Sequence, residues 1–292
     1  MSPSRSIIIS SLCLSFAALG GRAVADEAAA GKPEKDPFAG IKLQKGPLAG
    51  KLEDLATIDV PESMEFISGR VESKKFIEAT KNLSSNQEVG VLLPEDPDAG
   101  WWVVFEFDPI GYVKDDEKGS LDADTMLDSM KEGTKRDNKE RKQRGWGELE
   151  LVGWHTPPRY NATTQNLEWA TRLRGSAGRE DVNYNVRLLG RRGVMSVTLV
   201  GDPDQMDQAV AALQKLLAGY KYTPEQSYAS FKTGDKIAEY GLTGLVVGGA
   251  IAVAAKTGLL AKLWKFILLG AAAVGGALKK LFGGKKDDQP NT

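Results

Sequence analysis

The stretch that most constrains this chain lies near its far end, where residues 241–255 carry no charge and only Lys256, Lys262 and Lys265 interrupt the apolar run as far as residue 278. A helix needs about 20 mostly apolar residues to cross a hydrocarbon core of roughly 30 Å. The stretch is therefore expected to be a C-terminal transmembrane helix, with the membrane lipid bilayer as its first partner. It fixes which side everything before it occupies.

The strong residues in its first half are Leu242, Leu245, Val246, Val247, Ile251 and Val253. Each favours insertion by only about 0.3 to 0.6 kcal/mol, so this half is a weak membrane segment by itself. Gly244 and Gly248 form a G-x-x-x-G pair, a spacing that lets helix backbones approach closely in lipid and offers a homo-oligomeric contact. Lys279, Lys280, Lys285 and Lys286 follow, a basic end expected on the cytoplasmic side. Two arrangements stay open. One is a single crossing at about residues 240–255 with an amphipathic helix along the cytoplasmic leaflet; the other is a helical hairpin.

At the opposite end, Arg5 precedes an apolar segment over residues 7–19, and Ala23-Val24-Ala25 stands before Asp26. A charged start, a short apolar segment and an A-x-A site read as a cleaved export signal over residues 1–25. The single cysteine, Cys13, leaves with it, so the mature chain has no thiol chemistry and needs an ordinary apolar core. Loss of Arg5 and Arg22 moves the formal charge from −1 to −3. Such a balance offers nothing to nucleic acid. Export signal, late anchor and lysine-rich tail are most economically those of a protein of the bacterial inner membrane whose main domain faces the periplasm; a eukaryotic secretory-pathway protein would look similar, with Asn82 and Asn161 as glycosylation acceptors.

Between the two ends, residues 26–45 have too little apolar content to pack and read as a flexible leader. Alternating apolar residues predict strands at 56–60 and 64–68, and a helix at 71–83 with Phe76, Ile77 and Ala79 on its buried side. Residues 89–93 and 101–107 are separated by a run rich in Pro, Asp and Gly, which predicts a hairpin. In the second of these strands every residue but Glu106 is apolar, so it is expected to be central and buried on both faces. A helix from Asp122 to about Arg144 carries Met126, Leu127 and Met130 at core spacing, and its charged second half is expected to run out into water.

Four more strands are expected at 148–154, 167–174, 182–189 and 194–200, the last two joined by Gly190-Arg191-Arg192-Gly193. Asp202-Pro203 then opens a helix striped with Met206, Ala209, Val210, Leu213, Leu216 and Leu217, which Gly219 ends. The class is α+β: one antiparallel-rich sheet with about three helices, plus the C-terminal transmembrane helix. The expected division is a periplasmic domain over 46–236, the anchor over 237–282 and a basic, polar tail over 283–292.

His155 is the only histidine, too few for the usual imidazole ligands of zinc, so no metal is expected. A histidine acting as general base needs an orienting carboxylate and an activated nucleophile, and no G-x-S-x-G elbow or similar signature supplies one. A residue placed before Pro157-Pro158 is expected to fix a turn. The catalytic candidates are His155, Arg159 and Tyr160; no cofactor signature accompanies them. The acidic run Asp115, Asp116, Glu117, Asp122 and Asp124 lacks the ligand spacing of a calcium loop, because Met126 stands where an oxygen ligand belongs. It reads as a solvated loop with Asp122 near a helix start. Trp101, Trp102, Phe105, Phe107, Trp154, Tyr160 and Trp169 either line a ligand pocket or fill the core by alternate burial.

Three segments in order are distinctive: residues 92–94 leading to Gly111-Tyr112-Val113-Lys114-Asp115-Asp116, then Gly153-Trp154-His155-Thr156-Pro157-Pro158-Arg159-Tyr160, then Asn183-Tyr184-Asn185-Val186-Arg187-Leu188-Leu189-Gly190. Together they resemble the uncharacterised bacterial membrane-anchored family known as domain of unknown function 2167, over about residues 46–282. The resemblance implies a Gram-negative envelope protein with a signal sequence and a C-terminal anchor, and it assigns no activity to any residue. Two readings follow. One is a non-enzymatic module that binds an envelope protein or a lipid-derived ligand; the other is an envelope hydrolase or lyase with His155 as acid or base. The mature chain is expected to begin at Asp26, which N-terminal sequencing of the membrane form checks; a retained Met1 would refute the cleaved signal.

Overall fold

The computed structural model describes residues 37–119, 121–162 and 164–248. The expected export signal, most of the expected leader and everything after Gly248 lie outside the described residues. The structure is built around the strand that reads as central in the sequence. This strand, β6 (Trp101–Asp108), pairs on one side with β5 (Glu88–Pro94) and on the other with β10 (Val194–Gly201). Outward from β10 come β9 (Glu180–Leu189), β8 (Asn166–Gly175) and β7 (Leu149–Asn161). Outward from β5 come β4 (Met64–Ser68) and the two-residue β1 (Gln44–Lys45). All pairings in this eight-stranded sheet are antiparallel, and its order is β1-β4-β5-β6-β10-β9-β8-β7.

Alternation along β6 sends Val103, Phe105 and Phe107 to one face of the sheet. Two layers cover that face. One is a three-stranded sheet of β11 (Lys221–Tyr222), β3 (Ala56–Val60) and β2 (Leu48–Leu52). The other is the helix α3 (Met206–Ala218), reached through a 3₁₀ turn at Pro203–Gln205 whose N-cap Asp202 accepts from the Asp204 N–H. Met206, Ala209, Leu213 and Leu216 of α3 are buried among Leu52, Ile58, Phe66 and Phe105. A large apolar side chain buried in this way contributes about 1.5–3 kcal/mol.

The opposite face has two separate covers. Over β4, β5 and β6 lies α1 (Arg70–Ala79), which packs Phe76 and Ile77 on Ile67, Val91, Trp102 and Val104. Over the other end lie α2 (Ala123–Gln143) and the six-residue α4 (Leu242–Val247), packed with Trp169, Leu167, Val113 and Met126. Asp122 caps α2 by accepting from the Thr125 N–H at 3.1 Å, as its place in the sequence predicts. The hairpin between β9 and β10 closes with Gly190 N–H donating to Gly193 carbonyl at 2.9 Å. Position 193 has to be glycine, since a Cβ there would meet the Asp108 carbonyl oxygen at 2.1 Å.

Several expectations are corrected. Packing begins before residue 46, because Phe38, Ile41 and Leu43 lie against the α1 cluster and the Phe38 ring sits 5.8 Å from that of Phe76. There is a second small sheet and a fourth helix. Helix α1 stops at Ala79 rather than near Leu83, because Lys81 takes a left-handed φ of 56° and the Thr80 hydroxyl donates to the Ile77 carbonyl. Pro157 and Pro158 make no turn; they lie inside β7, which tolerates them because it is an edge strand with irregular register there.

The second half of α2 does not simply run into water, since Arg141 is buried. The transmembrane helix finds no counterpart here: among the described residues no helix is long and apolar enough to cross a membrane. The crossing expected at Tyr240 instead begins as α4, whose Leu242, Leu245, Val246 and Val247 face the domain core. Its N-terminus is held by the Glu117 carboxylate, which accepts from the Thr243 N–H at 2.8 Å. Gly244 is packed there too, for a Cβ would come 2.4 Å from the Tyr240 ring. The rest of both proposed arrangements, with Gly248's continuation, lies outside the described residues.

The segment between α3 and α4 is clamped to the β9–β10 turn by Arg191, which donates to both carboxylate oxygens of Asp235 at 2.7 Å. The two side chains are only 10% and 16% exposed, which sets this bidentate pair apart from ordinary surface ion pairs. Hydrogen bonds from Arg191, aided by the Lys232 N–H, hold the Asp235 carboxyl down to about 2. A carboxyl depressed by folding stabilises the protein above its unfolded value and loses that contribution as pH falls through the folded value. Asp235→Asn is expected to lower the melting temperature at neutral pH, with the gap to wild type closing between about pH 4 and about pH 2. A gap that is unchanged across that range in thermal melts would refute the clamp.

Candidate functional site

The gap between the two covers of the second sheet face forms a trough of about 330 Å³, floored by β5, β6, β10, β9 and β8. Its floor is polar because of how the strands register. Glu88 stands opposite Glu106, Glu106 opposite Ser196, and Ser196 opposite Arg187. These four form one row across β5, β6, β10 and β9. In the next row Val104, Thr198, Asn185 and Trp169 are successive partners, and in the one after that Trp102, Val200 and Asn183. Apolar walls come from Ile77 and Leu83 on the α1 side and from Leu149 and Leu173 on the other.

The early end of α1 shapes the rim. Residues released by the left-handed turn at Lys81 include Asn82 and Leu83, which line the trough. Arg141 of α2 reaches across to this loop, donating to the Lys81 carbonyl at 3.1 Å and to the Gly147 carbonyl at 2.7 Å. Asn138, one turn earlier, accepts from the Leu149 N–H and donates to the Leu149 carbonyl. The polar half of α2 thus ties its helix to both sides of the cavity.

The carboxylates of the row are engaged within the protein. Glu88 is 1% exposed and accepts from Ser84 Oγ at 3.1 Å and from the Ser85 N–H at 2.8 Å. Glu106 accepts from Ser85 Oγ at 2.5 Å. Burial pushes the Glu106 carboxyl above the usual range, and Glu88 and Asp108 add to the rise, while Ser85 and Arg187 oppose it. Asp108 in turn accepts from Tyr240 Oη at 3.2 Å and Gln87 Nε2 at 3.4 Å.

Arg187 differs from these groups. Its guanidinium lies over the Trp169 ring at 4.6 Å, a cation–π contact. Its hydrogen bond among the described residues is a long one, 3.4 Å to the Val186 carbonyl. No carboxylate of a described residue lies within 4.0 Å of it. Burial pushes it down to about 10, against the pull of Glu106 and Asp108. It stays charged at neutral pH, with most of its five N–H donors unused.

A second cavity, a more open groove of about 870 Å³, lies on the other face beside α3, where Trp101, Met64, Pro94 and Leu216 make an apolar lining. The aromatic group of the sequence divides accordingly. Trp102 lines the trough, Trp101 lines the groove, and Phe105, Phe107 and Trp169 are buried in the core.

The catalytic candidates of the sequence fall elsewhere, on the edge strand β7, and line neither cavity. His155 is exposed and its imidazole makes no hydrogen bond to a described residue, so it fixes no turn. Arg159 pairs with Glu168 at 3.0 Å, and Tyr160 Oη donates to Asp115 at 3.2 Å. Among the described residues no group of three or more metal-ligating side chains is gathered. Of the polar trough residues only Glu106, a lone carboxylate in an apolar central strand, gives a visible signal in the sequence. Glu88 lies on the preceding hairpin strand, but Ser196 and Arg187 sit far away in the chain, so only the pairing brings them into the Glu106 row.

A two-sheet α+β domain with a ligand-sized polar trough between two helices is the class of protein that this geometry defines. The chain belongs to the family described as Protein of unknown function (DUF2167), whose model matches residues 44–278. No curated protein matches the sequence. Among solved structures it is similar to cyanobacterial PsbP (CyanoP) from Synechocystis sp. PCC 6803, at 12% identity and a TM-score of 0.36, over 67% of this chain and 98% of that one. It is also similar to the Ran-binding protein Mog1p of Saccharomyces cerevisiae, at 10% identity and a TM-score of 0.31, over 61% and 93% of the two chains. Likenesses this distant say nothing of activity or partners here.

Arg141→Ala should destabilise the domain by about 1–3 kcal/mol, because it leaves two carbonyls without their donor. His155→Ala should change stability by less than about 0.5 kcal/mol, as for an exposed side chain without partners. Unfolding curves of the two variants test both; equal losses would contradict the roles assigned here.

Proposed function

We propose that this protein is a non-enzymatic ligand-binding module of the bacterial envelope, anchored in the inner membrane by the apolar residues after Gly248, with its domain in the periplasm. The trough is its ligand site. The observation that carries this reading is a cavity with apolar walls and a few convergent polar groups, at the lower end of the roughly 300–1,000 Å³ usual for ligand pockets. Its size suits a small molecule, or the end of a lipid-derived one, better than a protein partner. The export signal and the lysine-rich tail support the topology.

The hydrolase or lyase reading has less support. His155 stands exposed on the edge strand, with Arg159 and Tyr160 engaged by Glu168 and Asp115. A photoreactive benzophenone amino acid placed at Asn183, inside the trough, should form a discrete small-mass adduct in intact cells. The same group at Val71, exposed on the outer side of α1, should form none. Adducts from position 71 and none from position 183, read by intact-protein mass spectrometry, would refute the assignment.

A further inference from the structure

We propose that the trough recognises a small organic monocarboxylate, with Arg187 gripping the carboxylate and the Trp102, Val104 and Ile77 wall taking the apolar remainder. This rests on the trough being a ligand site. The juxtaposition that carries it is a half-buried guanidinium, 4.6 Å from the centre of the Trp169 ring, at the edge of a cavity whose most buried carboxylate, Glu88, is already engaged at both oxygens.

The sign of the ligand follows from which groups still lack partners. Glu88 has both its oxygens bonded by Ser84 and Ser85, and Glu106 is bonded by Ser85. At Glu88 a cationic ligand would have to displace these bonds, and Arg187 would repel it. Arg187 has no described carboxylate within 4.0 Å and one long hydrogen bond. A buried charge without a partner is costly, and a ligand that completes its hydrogen bonds removes that cost. A planar carboxylate fits the guanidinium with two parallel N–H···O bonds. A doubly charged phosphate fits less well, because Glu106 and Asp181 also face the cavity and would repel it.

Glu106 makes the binding depend on pH. Strand spacing sets the Cα atoms of Glu106 and Arg187 about 10 Å apart, two strands across, with side chains pointing to the same face. The charged groups near Glu106 are Glu88 on β5, Asp108 on its own strand and Arg187 on β9; β10 contributes only Ser196 to that row, and the preceding loop contributes Ser85. From α2 the nearest charge tied to the rim is Arg141, held by two carbonyls, and Asp181 lies on the wall. Below its raised value Glu106 is neutral and does not oppose an anion. Above it, the ionised carboxylate competes for Arg187 and repels the ligand. Affinity for a carboxylate therefore falls as pH rises through the Glu106 value.

The test uses the full chain in lipid nanodiscs and isothermal titration calorimetry. The probes are acetate, pentanoate and 3-phenylpropanoate, each beside its amide and its amine. Binding of a carboxylate at least tenfold tighter than its amide and amine, weakening as pH rises through the raised Glu106 value, is expected. Arg187→Gln should lose at least tenfold with its melting curve retained, Arg187→Lys should keep part of the affinity, and Glu106→Gln should flatten the pH dependence. Equal or tighter binding of an amide or amine, sensitive to the trough-filling Thr198→Trp, would overturn the carboxylate assignment and leave the ligand site standing. Binding by none of the nine probes, or binding that Thr198→Trp leaves unchanged, would overturn the ligand site and the carboxylate assignment together.

Discussion

The eight-stranded sheet carries apolar residues on both faces and so has to be covered on both, and the way this chain meets that requirement decides everything else about it. On one face α3 and the small sheet cover the central strands, and the residues beneath are apolar without exception along β6. On the other face α1 and α2 come from different parts of the chain and cover opposite ends. Neither is wide enough to meet the other. The strip left between them is where the central strands place Glu106, Thr198, Asn185 and Arg187. A polar strip in the middle of a sheet is tolerable only where water or a ligand reaches it.

The trough persists because its rim is tied from both sides. Arg141 joins α2 to the loop after α1, and Asn138 joins α2 to the start of β7. Both contacts go to backbone carbonyls, which holds the helices at a fixed separation without filling the space between them. The C-terminal strap adds a third tie. Arg191 and Asp235 clamp it to the β9–β10 turn, and Tyr240 Oη donates to Asp108, a charged neighbour of both Glu106 and Arg187. The cavity floor is therefore coupled to the segment that enters α4 through the charge of Asp108 and one hydrogen bond.

The corrections share one physical origin, which is that a side chain's environment is set by what lies across from it. Charge along the second half of α2 predicts exposure, but one arginine finds two carbonyls. Pro157-Pro158 predicts a turn, but an edge strand has no neighbour to miss their N–H groups. The weakly apolar residues 242–247 predict lipid, but Met126 and Trp169 offer them a protein surface first. Sequence patterns register polarity and spacing; they do not register which partner is within reach.

By itself the sequence determined the α+β class, the hairpins closed by glycine, the caps at Asp122 and Asp202, and the central place of β6, because each depends on residues close together in the chain. It also determined the family. The candidate site was legible only as an oddity, the single carboxylate in an otherwise apolar strand. Tertiary structure alone decided that Glu106 shares a row with Glu88, Ser196 and Arg187, and that His155, Arg159 and Tyr160 lie apart from any such row. Strand order and register bring residues from four strands to one face, and neither is encoded in any local stretch, since a shift of one residue would have turned every one of these side chains to the other side of the sheet.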